Sequence, residues 1–202
     1  IRIDNFGNRT TINLNKAAIE NGEKVSVDNL AQDGIYQLSY TATDKSARNV
    51  GETIIFSVNR NGSTYMLSDQ VMKLNKSYVK SIDYDIVIKE INVNELLMDS
   101  VILTLSRGSS SKELKEGVDF TVQKNTGSEQ WCEYVYIIKK SCFTEDGLYS
   151  LSISSKDISG NISVSDLEAK ASELSFVVDK TSPICNVMNL KSGTTYATNS
   201  KR

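Results

Sequence analysis

Side-chain chemistry needs nucleophiles, acid–base pairs or metal ligands, and this chain is short of all three. None of its 202 residues is histidine. That removes the Ser-His-Asp and Cys-His arrangements and every imidazole metal ligand. Three cysteines remain, Cys132, Cys142 and Cys185. An odd count leaves at least one unpaired, and none has the paired spacing of a zinc site. Cys132 and Cys142 fall at opposite ends of one predicted strand, too far apart to be bridged when extended. All three read as small side chains rather than reactive ones. The carboxylates Asp83, Asp85, Glu90, Glu95 and Asp99 are scattered. Glycoside hydrolysis needs two carboxylates facing one cleft, and no spacing here brings two together. No catalytic, cofactor-binding or metal-binding residue is assigned, and the chain is expected not to be an enzyme.

Binding chemistry has better candidates. Trp131, Tyr134 and Tyr136 form the richest aromatic cluster. On a strand, Trp131, Glu133, Val135 and Ile137 share one face, and Cys132, Tyr134, Tyr136 and Ile138 share the other. An exposed aromatic among them would anchor a partner or stack on a sugar; a buried one would be core and cross-strand packing. Arg107 opens the polar stretch Arg107-Gly108-Ser109-Ser110-Ser111-Lys112, which reads as a hairpin tip or a contact loop. Tyr65, at the end of Asn61-Gly62-Ser63-Thr64-Tyr65, completes the candidate interaction residues.

The bulk numbers fit a folded, non-membrane segment. The chain is 39% hydrophobic and 24% charged with a net charge of -2, which supplies no basic field for nucleic acid. No run approaches the roughly 18 apolar residues of a membrane helix. It opens on Ile1 with no signal peptide, so it is expected to be a segment of a longer protein.

These candidates must be positioned by strands. Short alternating or apolar runs recur with Gly, Asn, Asp and Ser between them. They predict strands at 10–14, 24–28, 35–43 and 53–59, then at 84–91, 101–106, 120–123, 131–138, 148–156 and 173–179. Weak helical periodicity appears at 166–172 and 94–98. The spacing predicts an all-β sandwich. Two stretches are copies of one another: Asp33-Gly34-Ile35-Tyr36-Gln37-Leu38-Ser39 and Asp146-Gly147-Leu148-Tyr149-Ser150-Leu151-Ser152. They lie roughly 110 residues apart, about one domain length. The lone proline, Pro183, follows the last strong strand and reads as a linker. The expected organisation is a partial domain at 1–67, resembling the C-terminal half of a sandwich. A complete sandwich follows at 68–181, then a linker and opening strand at 182–202. Partial domains carry open sheet edges, so a partner chain or an exchanged strand is expected to cover them.

The copied motif predicts local roles. Tyr36 and Tyr149 are expected to fold their hydroxyls back onto nearby backbone as tyrosine corners. Leu38 and Leu151 are expected to fill the core two positions later. Asp44, in Asp44-Lys45-Ser46-Ala47-Arg48-Asn49, and Asp157, in Asp157-Ile158-Ser159-Gly160-Asn161, end the same strand in each copy. Asp and Asn cap such turns. A calcium site is the competing reading, but two side-chain oxygens per copy are too few for six- to eight-fold coordination.

Asp-Gly-x-Tyr-x-Leu, Asp-x-Ser-Gly-Asn and Phe176-Val177-Val178-Asp179-Lys180-Thr181-Ser182-Pro183 together resemble the bacterial immunoglobulin-like repeats of large Gram-positive surface proteins. So do Glu113–Val122, Trp131–Tyr134, Phe143–Gly147 and Phe56–Tyr65. The first copy departs from the pattern at Ala47-Arg48-Asn49 and at Asn59-Arg60-Asn61-Gly62. The resemblance implies tandem immunoglobulin-like sandwiches, an extracellular place on a bacterial cell surface, and adhesion rather than a reaction. Three roles follow. The first is an adhesin module binding a host protein, immunoglobulin being one candidate, or a glycan. The second is a stalk or spacer; the third is an accessory module of a carbohydrate-active enzyme. The four Asn-x-Ser/Thr sites, at Asn8, Asn61, Asn75 and Asn161, are expected to be unmodified in a bacterial protein.

Overall fold

A computed structural model of the chain describes residues 1–12, 14, 32–127, 130–164, 174–185, 188 and 192–194. Among the described residues the architecture is all-β with one short α-helix. The predicted strand at 24–28 and the helical turn at 166–172 lie outside the described residues.

Three sheets account for every described strand. The first contains β1 (Arg2–Ile3), β2 (Arg9–Thr10), β3 (Gly34–Thr43) and β4 (Asn49–Val58), in the order β2-β1-β3-β4. The second is built from β5 (Thr64–Leu67), β7 (Ile86–Asn92), β10 (Phe120–Gly127) and β11 (Gln130–Ile138), in the order β10-β11-β7-β5. The third holds β6 (Tyr78–Val79), β8 (Ile102–Arg107), β9 (Ser110–Glu113), β12 (Gly147–Lys156) and β14 (Leu174–Val178), in the order β6-β14-β12-β8-β9. β13 (Ile162–Val164) also pairs with β12. Only β6 and β14 run parallel; the other pairings are antiparallel.

The second and third sheets face each other across one core. Alternation sets its contents. In β11 Cys132, Tyr134, Tyr136 and Ile138 turn inward, and in β12 Tyr149, Leu151 and Ile153 do. Phe143, Tyr149 and Phe176 form an aromatic triangle with ring centroids 5.5–5.6 Å apart. Helix α1 (Asp69–Leu74) closes one side with Val71 and Leu74. Its signal is Ser68, whose Oγ caps the Val71 N–H at 3.4 Å. Of the stretch 94–98 only Met98 is helical, as the first residue of a 3-10 turn at Met98–Ser100.

The copied sequences are copied structures. Gly34, Tyr36 and Leu38 of β3 face Val58, Phe56 and Ile54 of β4. Gly147, Tyr149 and Leu151 of β12 face Val178, Phe176 and Leu174 of β14. The rings stack in both, Tyr36 on Phe56 at 5.4 Å and Tyr149 on Phe176 at 5.6 Å. The Tyr36 hydroxyl donates to the Gln32 carbonyl at 2.7 Å, and the Tyr149 hydroxyl to the Glu145 carbonyl at 2.9 Å.

The change of sheet falls at 59–63, because Thr64–Leu67 pairs with β7. One expectation needs correction. Leu38 is not core: 38% of it is exposed. In its turn Asp44 pairs with Arg48, and Asn49 begins β4.

Candidate functional site at the joint between the sheets

The conspicuous polar construction in the molecule lies where the first sheet meets the two-sheet body. The chain leaves β4 through Asn59-Arg60-Asn61-Gly62-Ser63 and enters β5. Asp33, the aspartate of the first Asp-Gly, grips this passage. Its carboxylate accepts the Arg60 and Asn61 N–H groups at 2.8 and 3.0 Å. Asp146 does the same in the second copy, accepting from Lys180 N at 3.0 Å and from the Thr181 hydroxyl at 2.6 Å. The Asp-Gly pair therefore anchors the segment that leaves each hairpin as well as turning into it.

On the far side the Asp157 turn receives the same passage. Asn59 Nδ2 donates to Asp157 Oδ2 at 2.8 Å and to Asn92 Oδ1 at 2.9 Å. Asn92 Nδ2 donates to Ser63 Oγ at 2.9 Å and to Asp157 Oδ2 at 3.3 Å. Asn161 Nδ2 donates to the Asn59 carbonyl and to Asp157 Oδ2, both at 3.1 Å. Ser63 N donates to Ser163 Oγ at 2.7 Å. Asn92 and Asp157 are fully buried, and a buried carboxylate must be satisfied by donors. Asp157 is satisfied by amides: Oδ2 takes three side-chain donors, and Oδ1 takes Asn161 N at 3.0 Å. Oxygens so occupied have donors, not a cation, at their lone pairs. One oxygen, Asn59 Oδ1, is buried without a partner among the described residues.

Gly62 is required here. Its φ is +70°, and a Cβ would stand 2.5 Å from Ser163 Oγ. Around the rim Ser57 Oγ donates to Asn94 Oδ1 at 2.8 Å, and Asn94 Nδ2 donates to Ser159 Oγ at 2.5 Å. A cleft of about 340 Å³ runs along the joint between Phe56, Val93 and Ile158. Trp131 seals the adjoining face. It packs on Ile3, Ile35 and Val93, and its Nε1–H donates to the Ile3 carbonyl at 3.0 Å.

The candidate interaction residues disperse. Tyr65, Tyr134 and Tyr136 are interior, because the strand face that carries them is the one turned toward the third sheet. The Tyr134 hydroxyl accepts the Leu96 N–H at 2.9 Å, and the Tyr136 hydroxyl donates to Glu90 Oε2 at 2.7 Å. Ser155 donates to the other Glu90 oxygen and lies 3.4 Å from the Tyr65 hydroxyl. Burial, and then the Glu90 carboxylate, push the Tyr65 and Tyr136 phenols above their ordinary range. Trp131 is committed to the joint. Arg107 alone of the five stays exposed, beside a cleft of about 240 Å³ that also includes Ser110, Ser111, Lys112, Cys142 and Glu145. Its guanidinium lies 4.0 Å from Glu145, and Lys112 lies 3.2 Å from Asp119. Burial and the nearby Asp119 raise the Cys142 thiol, away from thiolate reactivity. Among the described residues no cluster of three or more Cys, Asp or Glu is arranged to hold a metal.

Sequence reasoning passed over Asp33, Asn59, Asn92 and Ser163 as site residues. Asn92 carried a signal, being a carboxamide between the apolar residues Ile91 and Val93. It also passed over a second Asp-x-x-Gly-Asn, at Asp4-Asn5-Phe6-Gly7-Asn8, beside the related Asp44 turn. All three turns share one geometry. Asp4, Asp44 and Asp157 accept the N–H three residues on, from Gly7, Ala47 and Gly160, each bond 3.0 Å. Those residues have φ of 80°, 61° and 91°. No protein-family model matches the chain, and no curated protein matches it.

Proposed function

We propose that the chain is a non-catalytic segment of tandem immunoglobulin-like sandwiches from a bacterial surface protein. Its role is to hold successive domains in a fixed relation, as a stalk or spacer. The observation that carries this is the joint: a buried, amide-satisfied Asp157 locks the chain leaving one hairpin onto the turn of the next copy. Such a network resists bending, because moving either side strands buried donors at about 1–3 kcal/mol each.

The immunoglobulin-like reading draws on strand order. β5-β7-β11-β10 follows the A-B-E-D sheet of such domains, and β14-β12-β8 the G-F-C sheet. β6 and β9 extend the latter at either edge. The first sheet, β2-β1-β3-β4, corresponds by register to β9-β8-β12-β14, with Arg2 opposite Tyr36 where Arg107 is opposite Tyr149. It is thus read as the C-terminal half of a second such domain.

Small-angle scattering of the intact chain tests the role. One rigid, elongated arrangement is expected for the native sequence. Asp157→Ala is expected to broaden it into an ensemble while the two-sheet body keeps its fold. A native chain that already scatters as a flexible ensemble, or as a compact particle, overturns the spacer reading. The adhesin reading has one specific support, the cleft beside Arg107 next to the free edge of β9, a short strand open to pairing. Retention of a specific host protein from serum, lost with Arg107→Ala, would favour it over the spacer.

A further inference from the structure

The two hairpin copies hold their exit segments by the same grip but with different donors. Registering Val58 on Val178 places Arg60 on Lys180, Asn61 on Thr181 and Gly62 on Ser182. In each copy the aspartate accepts a backbone N–H, from Arg60 or from Lys180. It then accepts a side-chain donor from the next residue. In one copy that donor is Asn61 Nδ2, 3.1 Å from Asp33 Oδ2; in the other it is the Thr181 hydroxyl, 2.6 Å from Asp146 Oδ2. A carboxamide and a hydroxyl both supply the hydrogen bond, but they differ in durability. The carbon of an asparagine carboxamide is open to attack by the backbone nitrogen of the following residue, which closes a succinimide ring. A side chain on that residue hinders the attack, and glycine has none. The joint itself demands the glycine, since Gly62 has a φ of +70° and a Cβ there would stand 2.5 Å from Ser163 Oγ. The Gly62 N–H makes no hydrogen bond among the described residues. Asn61 is exposed, so water reaches its carboxamide.

We propose that Asn61-Gly62 is a self-modification site whose reaction releases the joint. Hydroxide takes the Gly62 amide proton, the nitrogen bonds to Asn61 Cγ, and the Cγ–Nδ2 bond breaks. The departing nitrogen takes a proton from water and leaves as ammonia. A water molecule then opens the ring at either carbonyl, leaving aspartate or isoaspartate at position 61. Either product removes the donor to Asp33 Oδ2 and sets a carboxylate against a carboxylate. Isoaspartate also lengthens the main chain by a methylene, in the passage whose Ser63 N–H must reach Ser163 Oγ. The second copy is inert to this reaction, because Thr181 has no amide to lose. Release of the joint follows whether or not the chain serves as a spacer.

Incubation of the intact chain at mildly alkaline pH tests this, with the same chain unfolded in guanidinium chloride as the reference. Peptide mapping separates Asn61 from Asn21-Gly22, the other Asn-Gly of the sequence. Conversion at Asn61 is expected in the folded chain, at a rate that rises with hydroxide. Asn61→Thr installs the donor of the second copy; it should abolish the conversion and keep exchange at the Arg60 and Ser63 amides slow. Asn61→Asp, one of the two products, should speed hydrogen exchange at those amides roughly tenfold, through loss of a hydrogen bond to a charged group. An Asn61 still intact in the folded chain when the unfolded reference has converted overturns the modification. Exchange at Arg60 and Ser63 that Asn61→Asp leaves unchanged, or that Asn61→Thr speeds as much, overturns its effect on the joint.

Discussion

Ala47 is the residue at which the repeated turn departs from its own rule. Gly7 and Gly160 take the left-handed conformation without strain, whereas Ala47 takes it at φ 61° with a side chain in place. That conformation costs a non-glycine residue about 1 kcal/mol. Ala47→Gly should therefore stabilise the β3–β4 hairpin by about 0.5 kcal/mol after the added freedom of the unfolded chain is counted. Slower hydrogen exchange along β3 and β4 is the expected readout; faster exchange would show that the turn is not the limiting element. Asp44 is held below the usual carboxylate range chiefly by the Arg48 N–H, and Asp119 chiefly by the Lys115 N–H. The turns were legible in the sequence because Asp and Asn bond to backbone only a few residues away. The grip of Asp33 on Arg60 and Asn61 was not, because its partners follow a whole hairpin later.

At the scale of elements, β11 shows how far pattern reasoning reaches. Its alternation assigned Trp131 and Tyr134 to opposite faces, and the strand is buried on the Tyr134 side. Alternation alone does not say what lies over the other side. There Trp131 meets β1 and the start of β3, making it an apolar contact between the first sheet and the body. Trp131→Ala should leave the melting of the two-sheet body nearly unchanged. It should raise hydrogen exchange at Ile3 and Ile35, because it removes the packing partner of both and the donor to the Ile3 carbonyl. Unfolding of the whole body by this change would instead make Trp131 part of the main core. The paired strand seen once as β4 is met in the second copy as β13 and β14, with residues outside the description between them. The register matches regardless, because the Tyr–Phe stack and the Gly–Val pair fix it at one end of each hairpin.

For the whole molecule, the buried tyrosines set the alkaline limit. Tyr65 and Tyr136 have folded-state values raised by burial first and by the Glu90 carboxylate second. In the unfolded chain both ionise near pH 10. Their contribution to stability is therefore complete below about pH 10 and is lost as the pH rises beyond it. Tyrosinate absorbance should show some of the nine tyrosines ionising only as the fold is lost, with the denaturation midpoint falling above that pH. Smooth ionisation of every tyrosine in a folded chain would contradict the burial of this pair. Residue types and their order determined the strand-rich class, the copied hairpin and which side chains share a face, since alternation and turn chemistry are local. Tertiary structure alone decided that Leu151 is buried and Leu38 half exposed, and that Asn59, Asn92 and Asp157 meet. Burial depends on what lies across a sheet, and these three side chains converge from strands and turns far apart along the chain.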